Sequence, residues 1–204
     1  MSGGKKKKKV TCIILAGGTS SRFGEPKQLA RVGAVSMLQR AIDAANSSSS
    51  DYVVLVLGWA SELIAAEIDP GRANLVFNKE YSEGLSRSIK TGIANTPEDS
   101  AGALFMVADQ PLVSSEILDL LIERFNSNEG KGIAALAYRN DPRNPIVIDR
   151  RYFAEIEKLE GDRGAKELVL RHMNDVQLIN VENPKIFLDV DTKDNLQSLN
   201  NKEP

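Results

Sequence analysis

The sequence predicts an α/β domain, Rossmann-like and three-layered, with a mostly parallel central sheet. Three observations carry this. Short β-branched, apolar runs alternate with stretches of helical periodicity, the order from which parallel sheets are built. The runs at residues 10–15, 51–57 and 103–107 are almost continuously apolar, as strands covered on both faces must be. Two of them stop abruptly in loops of unusual chemistry, at the strand ends where an open α/β sheet gathers its ligands.

Residues 10–15 read as the first strand. Residues 28–46 follow a loop, and Met37, Leu38, Ala41, Ile42 and Ala45 give the latter part helical spacing until four serines, 47–50, break it. Residues 51–57 are a strand, 61–68 a short helix, 74–77 a short strand, and 84–95 a helix with Leu85, Ile89 and Ile93 on one side. After the strand at 103–107, residues 114–125 form a helix with Ser114 or Ser115 as N-cap. Then come a strand at 133–138, a polar break at 139–143 and a short strand at 145–148. Helices at 150–159 and 165–173 bracket the turn Gly161-Asp162-Arg163-Gly164. Strands at 177–181 and 186–190 and a helix at 193–199 close the chain. Residues 139–181 are expected to form a subdomain over one edge of the sheet, capping the site.

The 204 residues suit one domain, residues 10–200, preceded by a disordered basic leader, residues 1–9. Lys5 to Lys9 supply five of the 26 basic residues; without them 21 remain against 28 acidic, a balance of −7. That acidic body argues against nucleic acid as the main partner. No apolar run approaches the roughly 20 residues that cross a bilayer, and no signal-peptide core follows the lysines. With one cysteine, Cys12, inside a strand, these features predict a cytoplasmic protein and a thiol that fills the core.

The loop after the first strand, AGGTSSRFGEPK, combines glycines, which let successive backbone N–H groups approach one anion, with Arg22 and Lys27. No Gly-Lys-Ser/Thr follows at P-loop spacing, and Gly17-Gly18 with Gly24 does not fit the dinucleotide fingerprint. Arg22 offers a planar fork for a triphosphate and Lys27 a point charge for a leaving pyrophosphate. The plainer reading is a tight strand-to-helix turn.

Asp109 lies just beyond a buried strand, in Ala108-Asp109-Gln110-Pro111. A carboxylate there calls for a partner, and one such group can recruit Mg²⁺ together with a nucleotide; otherwise it is a turn or capping residue. Asp189 and Asp191, two apart in a presumed strand, share a face and can reach one metal, although Asp191 also suits an N-cap. In residues 78–88, Gly84 and nearby hydroxyls offer a second place where N–H groups face a ligand, and Tyr81 is able to stack on a heterocycle. Ser86 and Ser88 otherwise read as solvated helix residues. His172, the sole histidine, suits a helix end, and Trp59 a pocket wall or simple packing.

Taken together and in this order, LAGGTSSRFGEPK, NKEYSEGLSRSIKTGI, ADQPLV, RNPIVIDRRYFAEIEKLEGDRGAKELV and LDVDTKDNL resemble the molybdenum cofactor cytidylyltransferase family, a relative of the molybdenum cofactor guanylyltransferases within the nucleotidyltransferase superfamily. The resemblance spans residues 10–199. It implies the nucleotidyltransferase form of the fold, with Leu15, Ala16, Gly17 and Gly18 lining base and phosphates, and Arg22, Lys27 and Asp109 as the catalytic set. Asn78 and Ser86 complete the nucleotide site beside the acceptor side, where Gly84, Asn144 and Gly164 lie. Asp109, Asp191 and Asp189 hold Mg²⁺. The implied reaction moves CMP from CTP to a molybdopterin-type acceptor and releases pyrophosphate, with a recipient molybdoenzyme as partner and no nucleic acid or membrane. Gly17 stands where cytidylyltransferases often carry alanine. Transfer from GTP, transfer to another phosphorylated acceptor such as a sugar phosphate, and a non-catalytic cofactor carrier are the alternatives.

Overall fold

In the computed structural model, which describes residues 7–20, 23–127 and 130–201, the first apolar run becomes β1 (Val10–Ala16), buried along its whole length. It is buried because both of its faces are covered. Val10, Cys12, Ile14 and Ala16 join one core cluster, and Ile13 and Leu15 join another. This is the period of two expected of a strand between helical layers.

After a 3₁₀ turn at Lys27–Leu29, a small hairpin of β2 (Arg31–Val32) and β3 (Val35–Ser36) leads into α1 (Met37–Ser47), whose N-cap Ser36 accepts from the Gln39 N–H. The residues α1 buries are the five that predicted it, Met37, Leu38, Ala41, Ile42 and Ala45. Then follow β4 (Tyr52–Leu57), α2 (Ser61–Ala66), β5 (Asn74–Phe77), α3 (Leu85–Ala94), β6 (Gly102–Val107) and α4 (Ser115–Ser127). The chain continues with β7 (Ile133–Tyr138), β8 (Asp141–Asp149), α5 (Phe153–Ile156), α6 (Ala165–Arg171), β9 (Val176–Asn180) and α7 (Lys193–Asn200). Seven strands form one sheet in the order β5-β4-β1-β6-β8-β7-β9, in which only β8 runs antiparallel to its neighbours. Helices α1, α2 and α4 cover one face and α3, α5 and α6 the other. The expected three-layer α/β class is the one observed.

Two expectations are corrected. The capping subdomain over residues 139–181 does not form, because β8 inserts between β6 and β7, and β9 extends the sheet beyond β7. The polar break is a hairpin turn whose central residues Arg139 and Asn140 both have positive φ, 52° and 65°. The apolar run Ile146-Val147-Ile148, fully buried, needs both faces covered and so enters the sheet. The second correction concerns residues 186–190, which form no strand: a 3₁₀ turn spans Pro184–Phe187 and irregular chain follows. Asp189 and Asp191 are therefore not placed by strand periodicity.

Of the expected leader, residues 1–6 lie outside the described residues. The lysines nearest the domain rest on it: the Lys8 backbone donates to Asn126 Oδ1 (2.7 Å), and Lys9 pairs with Asp99 (2.6 Å). Cys12 is the core filler expected of it, its thiol pushed up to about 12 by burial. Trp59 is half-buried beyond β4, and His172 ends α6 with its ring nitrogen 2.9 Å from Glu155. Among the described residues no helix is long and apolar enough to cross a membrane.

Helix α3 lies against β1 through Gly92, where an added methyl would stand 2.5 Å from Ile13 Cγ2. Alanine improves helix propensity by up to about 1 kcal/mol, but forcing a methyl into a packed core costs about 1–3 kcal/mol. The steric cost wins. Gly92→Ala is expected to lower the urea midpoint, and an unchanged or raised midpoint would mean that α3 has room to move off the sheet.

Candidate active site

From β1 the chain steps outward through β4 and β5, then returns to β6 on the other flank of β1. The strand order thus reverses between β1 and β6, and the loops leaving their carboxyl ends diverge to open a crevice. The Ala108 N–H still donates to Leu15 O (3.1 Å) where the strands end; beyond that point they part. The resulting cleft holds about 450 Å³. Of the residues singled out in the sequence, Leu15, Ala16, Gly17, Gly18, Lys27, Tyr81, Gly84, Ser88 and Asp109 line it.

The glycines permit close approach of separate segments. An added methyl on Gly17 would stand 2.7 Å from Ser88 Oγ, and one on Gly58 would stand 2.6 Å from Gly17 O and Tyr81 Cβ. Gly84 has φ 104°, and a methyl there would strike the Gly161 backbone at 2.4 Å. Only glycine suits that position. The Ser86 N–H donates to Gly161 O at 3.0 Å, so the start of α3 and the turn at residues 161–164 meet backbone to backbone. Gly164 itself backs onto Leu85, a cleft residue.

At the other end of the cleft, Lys27 Nζ lies 2.8 Å from Asp109 Oδ2 and 2.7 Å from Asp191 Oδ1. Burial alone would lower the lysine's pKa, but the Asp109 charge and the hydrogen bonds to both carboxylates outweigh it. The ammonium's pKa stands above its usual value. Asp191 arrives from far along the chain because the Val190 N–H donates to Asp109 O (3.0 Å) and the buried Val190 packs with Phe23, Val32, Met37 and Leu199. Thr192, not Asp191, caps α7, which leaves the Asp191 carboxylate to the site. Asp189 turns instead to Gln110, whose Nε2 donates to it at 2.9 Å. Burial, and then the charges of Asp109 and Asp191, raise its pKa against the opposing pull of the Gln110 bond.

The Lys27 ammonium marks a point at which one cation meets two carboxylate oxygens. Hard oxygens of this kind suit magnesium or manganese when phosphates and water complete the shell. Among the described residues no group of three or more His, Cys, Asp or Glu side chains is arranged to hold a metal. Asp109 and Asp191 could thus hold such an ion with oxygens from a substrate.

The remaining expectations fall elsewhere. Arg22 lies outside the described residues. Asn78 and Ser86 are buried behind the wall of the cleft, where Asn78 Nδ2 donates to Ser88 Oγ at 3.1 Å. Asn144 sits at the irregularity in β8 where its register against β7 shifts, two residues before Ile146, the partner of Phe105, and so toward the carboxyl end of β6; it does not itself line the cleft. Sequence reasoning missed Gln28, and it offered Ser88 as a hydroxyl near a ligand with a solvated helix residue as the alternative; both residues are buried and both line the cleft. The sequence carries no signal for Gln28, whose partners include two backbone carbonyls.

A profile of the MobA-like NTP transferase domain matches residues 12–176. The molybdenum cofactor cytidylyltransferase of Escherichia coli (strain K12) is 25% identical over 187 residues, covering 91% of this chain and 92% of that one. The crystal structure of Rv0371c from Mycobacterium tuberculosis H37Rv superposes with a TM-score of 0.86 at 27% identity, over 97% of this chain and 100% of that one. A complex of Rv0371c with manganese superposes at 0.78 and 26% identity, over 96% and 100%. With most of its length matched and its glycine-rich loop placed at the strand-order reversal, the chain belongs to the MobA-like NTP transferase domain family.

Proposed function

We propose that this NTP transferase moves CMP from CTP to a molybdopterin-type acceptor. A terminal phosphate oxygen of the acceptor attacks the α-phosphorus of CTP, the bond from that phosphorus to its bridging oxygen breaks, and pyrophosphate leaves. The observation that carries this reading is Lys27 held between Asp109 and Asp191 at one end of a cleft whose other end is built by Gly84 and the turn at residues 161–164. The protein is asked to position and to neutralise charge rather than to supply a nucleophile.

In this reading the backbone from Leu15 to Gly18 receives base and phosphates, and Arg22 serves the triphosphate with its planar fork of donors. Lys27, kept cationic, neutralises charge that grows on the leaving pyrophosphate. Asp109 and Asp191 hold a divalent ion, magnesium in the simplest case, and Asp189 stands by as a further carboxylate; the manganese complex of the Mycobacterium tuberculosis relative supports a divalent ion of this kind. When bound, that ion supplies charge neutralisation and Lewis acidity at phosphate oxygens. Gly84, Asn144 and Gly164 belong to the acceptor side, and Asn78 and Ser86 brace the wall between the two halves. A recipient molybdoenzyme is the downstream partner.

The choice of CTP is supported by the name and nearly full-length match of the Escherichia coli relative. Gly17 does not argue for a purine, because Ser88 Oγ already occupies the room that a methyl would take. Pyrophosphate release measured across the four NTPs, with molybdopterin present and absent, tests the proposal. The highest kcat/KM is expected for CTP with molybdopterin. A higher value for GTP would assign the guanylyl reaction, and no release with any NTP would leave a cofactor carrier.

Two substitutions test the roles at the paired charges. Asp109→Asn keeps the side chain's shape and is expected to lower metal-dependent turnover about 100-fold or more, as when a main electrostatic contribution to the transition state is lost; near-normal turnover would remove Asp109 from the catalytic set. Lys27→Ala is expected to depress kcat more than it raises the KM for nucleotide, since its charge matters most as pyrophosphate departs. The opposite split in steady-state kinetics would make Lys27 a ground-state binder.

A further inference from the structure

We propose that Gln28 is a positioning residue that holds the glycine loop in its nucleotide-accepting shape, an inference that rests on reading this loop as the phosphate site. Its side chain is only 3% exposed, and its one amide group makes three bonds to the loop. Nε2 donates to Ala16 O at 3.0 Å and to Gly18 O at 3.1 Å, while Oε1 accepts from Ser20 Oγ at 3.0 Å. Ser20 Oγ in turn accepts from the Lys27 N–H at 3.1 Å. Residues 16, 18, 20, 27 and 28 are thereby joined in one ring of polar contacts.

The consequence for the loop follows from peptide planarity, which sets each N–H opposite the preceding carbonyl. With the Ala16 and Gly18 carbonyls drawn down to Gln28, the N–H groups of Gly17 and Thr19 point away from it. Gly18 and Thr19 are exposed on that far side, and a methyl on Gly18 would meet nothing within 4 Å. An anion arriving there meets donors, not carbonyl oxygens. Ser20 adds a second reason for a clasp: its φ of 52° is one that non-glycine residues rarely adopt, and its hydroxyl, bonded on two sides, holds it there.

No other side chain reproduces this set. Glutamate keeps an acceptor for Ser20 but offers no donor to the carbonyls when ionised, and methionine of similar volume offers neither. Because Gln28 shares a 3₁₀ turn with Lys27, the same contacts fix the backbone from which Lys27 reaches Asp109 and Asp191. Loop shape and lysine position are therefore set together.

The test uses Gln28→Met and Gln28→Glu in the full chain. In the free protein, ¹⁵N order parameters at residues 17–20 are expected to fall from about 0.85 to below about 0.6 in both variants, with β1 unchanged. The KM for nucleotide is expected to rise about 10- to 100-fold, as when two hydrogen bonds to the loop are lost, while the KM for the acceptor holds. Gln28→Glu should regain nucleotide affinity as pH falls and its carboxyl again becomes a donor, a recovery that neither the wild type nor Gln28→Met shows. If Gln28→Met fails to fold, Gln28→Glu decides. A lowered unfolding midpoint with wild-type order parameters and nucleotide KM would overturn the proposal, leaving a merely structural residue. If the wild type releases no pyrophosphate with any NTP, the reading of the function fails while the order parameters still decide the clasp.

Discussion

The Lys27 ammonium has to be held by carboxylates because its side chain is only 15% exposed, and a cation that has lost most of its water recovers the cost only from paired charge. The two partners are unequal. Asp109, 25% exposed, acts on the lysine with little screening, whereas Asp191, 41% exposed, is screened by water and contributes less. Asp109 is thus the main anchor, and Asp191 fixes the direction from which the anchor is approached. Everything that brings these three residues together, from sequence positions 27, 109 and 191, is a condition of the site.

The fold meets that condition with two cores and a small third one. The two large cores press helices onto both faces of the sheet and set the ends of β1 and β6 side by side, which places the glycine loop next to Asp109. The third, with Phe23, Val32, Met37, Val190 and Leu199, joins the far end of the glycine loop, the start of α1 and the C-terminal segment. It is this cluster, with the Val190 to Asp109 backbone bond, that delivers Asp191. A large sheet alone would leave the last carboxylate unplaced.

That division explains what the sequence disclosed. Buried parallel strands and α1 were legible because burial on both faces or on one face leaves a periodic trace, as in residues 10–16 or in Met37, Leu38, Ala41, Ile42 and Ala45. Asp109 was legible as a carboxylate where an apolar run stops. The β7–β8 hairpin was not, since its turn is made by Arg139 and Asn140 at positive φ where an Asn-Gly pair would have announced it. Asp189 and Asp191 were singled out through a strand that does not exist; Asp191 reaches Lys27 through a lone buried valine, which has no periodicity to read. Gln28 left no trace because its meaning lies in two backbone carbonyls, and every residue carries one of those.

The crowding of carboxylates gives the site its remaining character. Asp189 lies near enough to Asp109 and Asp191 that, after burial, their charges are the main forces raising its pKa, and only the Gln110 hydrogen bond and the Lys27 charge oppose them. A triphosphate entering this end of the cleft would add further negative charge to a place where carboxylates already repel one another. On the proposed reading the nucleotide must therefore arrive with a cation of its own, since Lys27 is already engaged by Asp109 and Asp191. The same argument assigns the loop donors their purpose. Backbone N–H groups carry no mobile counterion and need no rearrangement, so they can receive phosphate oxygens while the side-chain charges re-pair around the incoming metal.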